Sequence, residues 1–162
     1  MRIQGLRIDN FGIWSGLEID NLPAGVTLFY GRNEAGKSTL MQFMRSVLYG
    51  FSSERSQQFF SEDRDGLDVG GSLTVAVPEG QFRLSRHLDS RQPLDHLGQI
   101  KVSAISGSHH VGHAVTSLIS SIDESIFQNV FAVGLSQMQY LGTLNDTQAA
   151  EQLYSLSTGP DR

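Results

Sequence analysis

Gly31-Arg32-Asn33-Glu34-Ala35-Gly36-Lys37-Ser38-Thr39 has the residue types and the spacing to hold a polyphosphate. It fits G-x-x-x-x-G-K-[ST], the Walker A or P-loop pattern. A polyphosphate carries several negative charges, so a loop that wraps it must turn consecutive backbone N–H groups inward. Gly31 and Gly36 permit the backbone angles and the close approach that a Cβ would block. Lys37 sets an ammonium against the outer phosphates, and the Ser38 hydroxyl is a hard oxygen ligand suited to Mg²⁺. A helix opening at Gly36 and Lys37 aims its positive dipole end at the same phosphates. Four fixed positions match by accident in a chain of 162 residues on the order of once in a hundred. The surrounding elements therefore have to decide.

They arrive in the required order. Residues 26–30 are a β-rich apolar run that reads as a strand leading into the loop. After it, Leu40, Met44, Val47 and Leu48 fall on one helical face. Upstream, residues 1–9 alternate apolar and polar as a strand with an irregularity at Gly5. Asn10-Phe11-Gly12 reads as a turn and Leu17-Glu18-Ile19-Asp20 as a short returning strand. Downstream, residues 70–77 and 81–88 flank Pro78-Glu79-Gly80 as a hairpin, and residues 100–105 offer a further strand. Arg83 and Arg86, among apolar Phe82 and Leu84, read as the wet face of that sheet.

Composition bounds the rest. The length suggests one domain with a hydrophobic core. The formal net charge is −5, which does not advertise nucleic-acid binding through bulk electrostatics. From Ser103 onward the only Lys or Arg is Arg162, so any DNA contact has to come from patches nearer the N-terminus. Cysteine is absent, which removes disulfides and thiolate metal sites and fits a cytoplasmic protein. No apolar run is long enough for a membrane span, and the first residues lack the apolar core of a signal peptide.

The order Ile3…Leu6-Arg7-Ile8-Asp9-Asn10-Phe11-Gly12…Leu17-Glu18-Ile19…Gly25-Val26-Thr27-Leu28-Phe29-Tyr30, followed by the loop, Leu40 and Leu48-Tyr49-Gly50, resembles the start of the SMC-like ATPases. Within them it is similar to the SbcC and RecF branch and its YhaN-like AAA proteins, whose loop has the Asn-Glu-Ala-Gly-Lys-Ser-Thr form. The likeness is strong over residues 1–50 and collinear to about residue 142. It implies an α/β fold: a P-loop NTPase with an ABC-type, SMC-like head. Residues 1–162 would be its N-terminal lobe, with a mixed sheet around the P-loop helix and an antiparallel lateral sheet. It further implies ATP and Mg²⁺ as ligands, with residues 31–39 as the binding loop. The implied partners are the C-terminal lobe of the same head, a second head, and DNA, with room for a nuclease and no membrane. The implied role is DNA double-strand break repair or chromosome maintenance.

In the resembling family a strand near residues 131–133 leads into a loop whose glutamine reaches Mg²⁺ and the attacking water. The collinear position falls near Leu135, which cannot do that work. Gln137 is the nearest candidate for the catalytic and metal-ligating role, beside Lys37 and Ser38, and Gln139 is the reserve. Arg55 and Arg64 lie in a polar stretch that reads either as a solvated loop or as a source of one arginine near nucleotide or DNA. His109 and His113 could share a helical face, but no third ligand is specified, and they read as surface residues. Short helices are expected over residues 114–119, after Asp123, and over residues 145–156.

Leu156-Ser157-Thr158-Gly159 looks like the ABC signature but lacks the helix and apolar strand that must follow it. Asp123-Glu124 follows a serine run rather than an apolar strand, so no Walker B pair is present. The expectation is a truncated head, nearly inactive alone. The alternatives are another P-loop enzyme, such as a small kinase or GTPase, and a nucleotide-binding module without turnover. A guanine-reading Asn-Lys-x-Asp and an arginine-rich lid are both missing.

Overall fold

Alternation along the first strand sends its apolar residues to one side, and the remaining strands extend that face. The computed structural model describes residues 1–51, 69–88 and 98–107, with Glu124 and Phe127 in addition. The chain divides into two compact units, Met1–Ile119 and Ser120–Arg162; the elements that follow belong to the first. β1 (Arg2–Phe11) turns at Gly12 and Ile13 and returns as β2 (Trp14–Ile19), with Leu6 opposite Ile19 and Phe11 opposite Trp14. The turn therefore comes later than residues 10–12, because Phe11 stays in the strand and is buried in the core.

β3 (Val69–Val77) and β4 (Gly80–Leu88) form the expected hairpin, and β5 (Ile100–Gly107) pairs beside β4. The order is β2-β1-β3-β4-β5, every pair antiparallel. The irregularity expected at Gly5 is a register shift between Ile3 and Gly5 in the β1–β3 ladder.

α1 (Lys37–Tyr49) lies against β1, β3 and β4. Leu40, Phe43, Val47 and Leu48 meet Leu6, Ile8, Phe11, Leu73, Val75, Phe82 and Leu84 in the buried core. Phe11 stands edge-on to Phe43 at 5.6 Å between ring centroids and 6.2 Å from Phe51. Full burial of such a side chain stabilises by about 1.5–3 kcal/mol. The helical stripe is centred on Phe43 and Val47, so Ser46 is buried while Met44 is only partly so.

Three expectations change. Residues 26–30 do not form a strand: Val26 is 98 %, Leu28 79 % and Tyr30 89 % exposed. A strand exists only through its ladder, and no neighbour pairs with this segment among the described residues. All described strands belong to one antiparallel sheet, rather than to a mixed sheet with a separate lateral one. Arg83 is exposed, but Arg86 is buried with Phe82, Leu84 and Leu88, because side chains two apart share a face and residues 83 and 86 are three apart.

On the outer face Arg7 Nε donates to Asp9 Oδ1 at 3.0 Å, and His87 Nε2 lies 2.9 Å from Asp9 Oδ2. β3 places Gly70 between Asn10 and His87 in the ladders, so no side chain separates β4 from β1 there. Burial alone would raise the Asp9 carboxyl; the hydrogen bonds from His87 and Arg7, with their charges, hold it below its ordinary value. A lowered folded pKa stabilises above the unfolded value, about 3.9, and that contribution is lost as pH falls through the folded value. Asp9→Asn should therefore cost less than about 1 kcal/mol at neutral pH. Its stability should fall less steeply than wild type across the acid limb of a denaturation series. Identical acid limbs would exclude the linkage.

Candidate nucleotide site

The helix after the loop begins without a side-chain cap. Gly36 is the N-cap of α1, at φ 79°, and no acidic residue occupies the first turn. The first intrahelical bond runs from the Leu40 N–H to the Gly36 carbonyl at 2.9 Å. An α-helix leaves its leading N–H groups without an intrahelical acceptor. Here they carry the positive end of the helix dipole at the mouth of the loop.

The loop closes on itself. The Ala35 N–H donates to the Arg32 carbonyl at 3.2 Å, and Glu34 takes a left-handed φ of 66°. Lys37 Nζ reaches back to donate to the carbonyls of Gly31 at 2.8 Å and Arg32 at 2.7 Å. Its ammonium thus spans the loop, while the side chain remains exposed with that of Ser38. Arg32, Asn33 and Glu34 are exposed and Thr39 is half-buried. The two glycines act differently. Gly36 supplies the left-handed backbone, whereas a Cβ at Gly31 would meet the Ala35 Cβ at 3.0 Å, so Gly31 supplies room.

Sequence reading overlooked what lies beneath Gly36. A Cβ there would meet Ile13 Cδ1 at 2.6 Å and the Trp14 ring at 2.8 Å. The Trp14 indole N–H donates to the Gly36 carbonyl at 3.3 Å, so that carbonyl accepts from both the helix and the β1–β2 turn. Beside it is a largely apolar pocket of about 270 Å³ bordered by Trp14, Leu28, Phe29, Tyr30, Lys37 and Leu40. The only available signal for Trp14 was an aromatic residue at a hairpin turn, which does not name its contact.

Residues 31–39 thus come together as one loop and helix start. Gln137 and Gln139, with Arg55, Arg64, His109, His113, Asp123, the helices expected over residues 114–119 and 145–156, and residues 131–133 and 156–159, lie outside the described residues. Among the described residues no helix is long and apolar enough to cross a membrane.

Comparison with known proteins gives a family. The AAA domain family matches residues 1–151. The uncharacterized protein YhaN of Bacillus subtilis (strain 168) is 27 % identical over 154 residues, which is 94 % of this chain and 15 % of that protein. The chain therefore spans about a seventh of the length of this relative.

Trp14 is the single tryptophan in the chain, so its emission reports on Gly36. Saturating ATP with Mg²⁺ should change the intensity or wavelength of that emission in a titration. A calorimetric binding curve accompanied by unchanged fluorescence would show that the hairpin does not sense the loop.

Proposed function

The chain belongs to the AAA domain family, in its SMC/YhaN-like branch, and from that premise we propose that residues 31–39 bind ATP with Mg²⁺ as the N-terminal lobe of a split ATPase head. One observation carries the reading: the Lys37 ammonium closes a glycine loop over the uncapped N-terminus of α1. Those groups fit a triphosphate. On binding, Lys37 exchanges two neutral carbonyl acceptors for anionic phosphate oxygens, which adds ion pairing to hydrogen bonds that the ammonium charge already strengthens. The N–H groups at the start of α1 face the same charge.

The Ser38 hydroxyl, exposed at the loop mouth, is the side-chain oxygen suited to Mg²⁺, and Gln137 is assigned as the second ligand and the group that orients water. Bound Mg²⁺ supplies charge neutralisation of the outer phosphates. Gln137 needs no charge for its role, since its carbonyl accepts from water and its amide donates to phosphate.

The exposed apolar residues Val26, Leu28 and Tyr30 support a C-terminal lobe as partner. An extended apolar segment leading into the phosphate loop suits insertion between further strands. The small share of the YhaN relative that this chain spans leaves ample length for that lobe in a protein of its kind. Pairing with a second head would complete the site, and the complete protein would act on DNA in the cytoplasm, in break repair or chromosome maintenance, with room for a nuclease partner.

Lys37→Ala should weaken ATP binding by roughly 30-fold or more, because hydrogen bonds from a charged donor are lost. A calorimetric titration showing unchanged affinity would remove the assignment. Residues 1–162 alone should hydrolyse ATP very slowly, with turnover appearing once the C-terminal lobe is restored. Rapid Lys37-dependent turnover by residues 1–162 would instead favour a kinase or GTPase. In the restored head, Gln137→Ala should lower kcat more than it weakens ATP binding. Equal loss of both, or this kinetic pattern in Gln139→Ala alone, would displace Gln137.

A further inference from the structure

We infer that Arg86 is a positioning residue for the nucleotide site, holding the C-terminal end of α1 from β4 and so setting where the helix presents its N-terminus. The inference rests on the reading of residues 31–39 as a nucleotide loop. Arg86 is 8 % exposed. Its Nε donates to the Val47 carbonyl at 3.0 Å, its Nη2 to the Leu48 carbonyl at 3.3 Å, and its Nη1 to the Gly98 carbonyl at 2.6 Å.

The acceptors are telling. The Gly50 N–H closes α1 on the Ser46 carbonyl at 2.8 Å. Val47 and Leu48 are therefore the next carbonyls along, beyond the last helical donor. α1 carries no basic residue in its own last turn. A side chain 38 and 39 positions away supplies both the donors and the positive charge that the negative end of a helix dipole favours. The guanidinium suits the task because its planar fork reaches several acceptors in fixed geometry. Burial lowers its pKa from the ordinary value, yet arginine remains protonated across the working range.

The apolar contacts of Phe43 and Val47 keep α1 on the sheet, but such contacts are non-directional. Directional hydrogen bonds at the far end fix the helix along its axis. α1 is about 20 Å long, with Arg86 at one end and the phosphate loop at the other. The Gly98 contact adds the approach to β5 to the same clamp. A shift of β4 and β5 is thereby linked to the attitude of the loop, and linkage requires that nucleotide in turn tighten the clamp.

The test uses the full chain and three variants, Arg86→Met, Arg86→Lys and the core variant Val75→Ala. Affinity for ATP with Mg²⁺ is measured by calorimetry at a temperature where circular dichroism shows each protein folded. Arg86→Met should bind about five- to tenfold more weakly, and Arg86→Lys, with the charge but not the fork, should fall between it and wild type. Val75→Ala should melt earlier without losing affinity. Hydrogen exchange should show ATP-induced protection of residues 47–50 in wild type and its loss in Arg86→Met. Wild-type affinity in a folded Arg86→Met overturns the inference and leaves Arg86 a structural cap. Should Arg86→Met fail to fold, unchanged affinity in Arg86→Lys overturns it equally. Absence of ATP binding by wild type overturns the nucleotide reading and this inference together, whereas binding that is insensitive to both Arg86 variants overturns this inference alone.

Discussion

A helix that offers its first turn to a polyphosphate cannot also satisfy that turn with its own side chains, and α1 does not. Its N-cap is a glycine with no capping side chain and no acidic residue follows, although such a cap commonly contributes about 1 kcal/mol. A helix of 13 residues is marginal in isolation, so its stability has to come from elsewhere. Packing of Phe43, Val47 and Leu48 against the sheet supplies one part, with Phe11 and Phe51 closing around them. Arg86 and the Gly50 N–H supply the other, at the end away from the loop.

The sheet exists in the form that this arrangement demands. Antiparallel pairing brings β1, β3 and β4 under one helix, and the tight turn after β1 delivers Ile13 and Trp14 to the underside of Gly36. The left-handed backbone at Gly36 is consequently pinned from the hairpin side by a hydrogen bond and by packing. The same carbonyl joins hairpin, loop and helix. Charge placement follows a similar division: the outer face of the sheet carries the Arg7, Asp9 and His87 cluster, while among the described residues the inner face admits a single buried guanidinium where helical carbonyls need donors.

Membership of the AAA domain family agrees with nucleotide binding, and the segment that leads into the loop is exposed. Val26, Leu28 and Tyr30 are the residue types that fill the middle of a buried sheet. Among the described residues no strand pairs with them, and their exposure contrasts with α1, which is enclosed on its sheet side.

The loop, the start of α1 and the β3–β4 hairpin were legible in the chain because each is written within a few consecutive residues. The glycines and Lys37 set the loop, the period of Leu40, Val47 and Leu48 sets the helix, and alternation around Pro78-Glu79 sets the hairpin. Alternation with Phe82 and Leu84 suggested one wet face for Arg83 and Arg86 together, whereas residues three apart in a strand lie on opposite faces and Arg86 is buried. The contact of Trp14 with Gly36 depends on where a hairpin lands, 22 positions from its partner, and no local pattern encodes that distance. The fate of residues 26–30 turned on a pairing partner rather than on their own β propensity. Sequence by itself therefore determined the glycine loop, the helix after it and the hairpin. Tertiary structure decided which carbonyls, rings and guanidinium meet, because those contacts depend on register and packing between segments far apart in the chain.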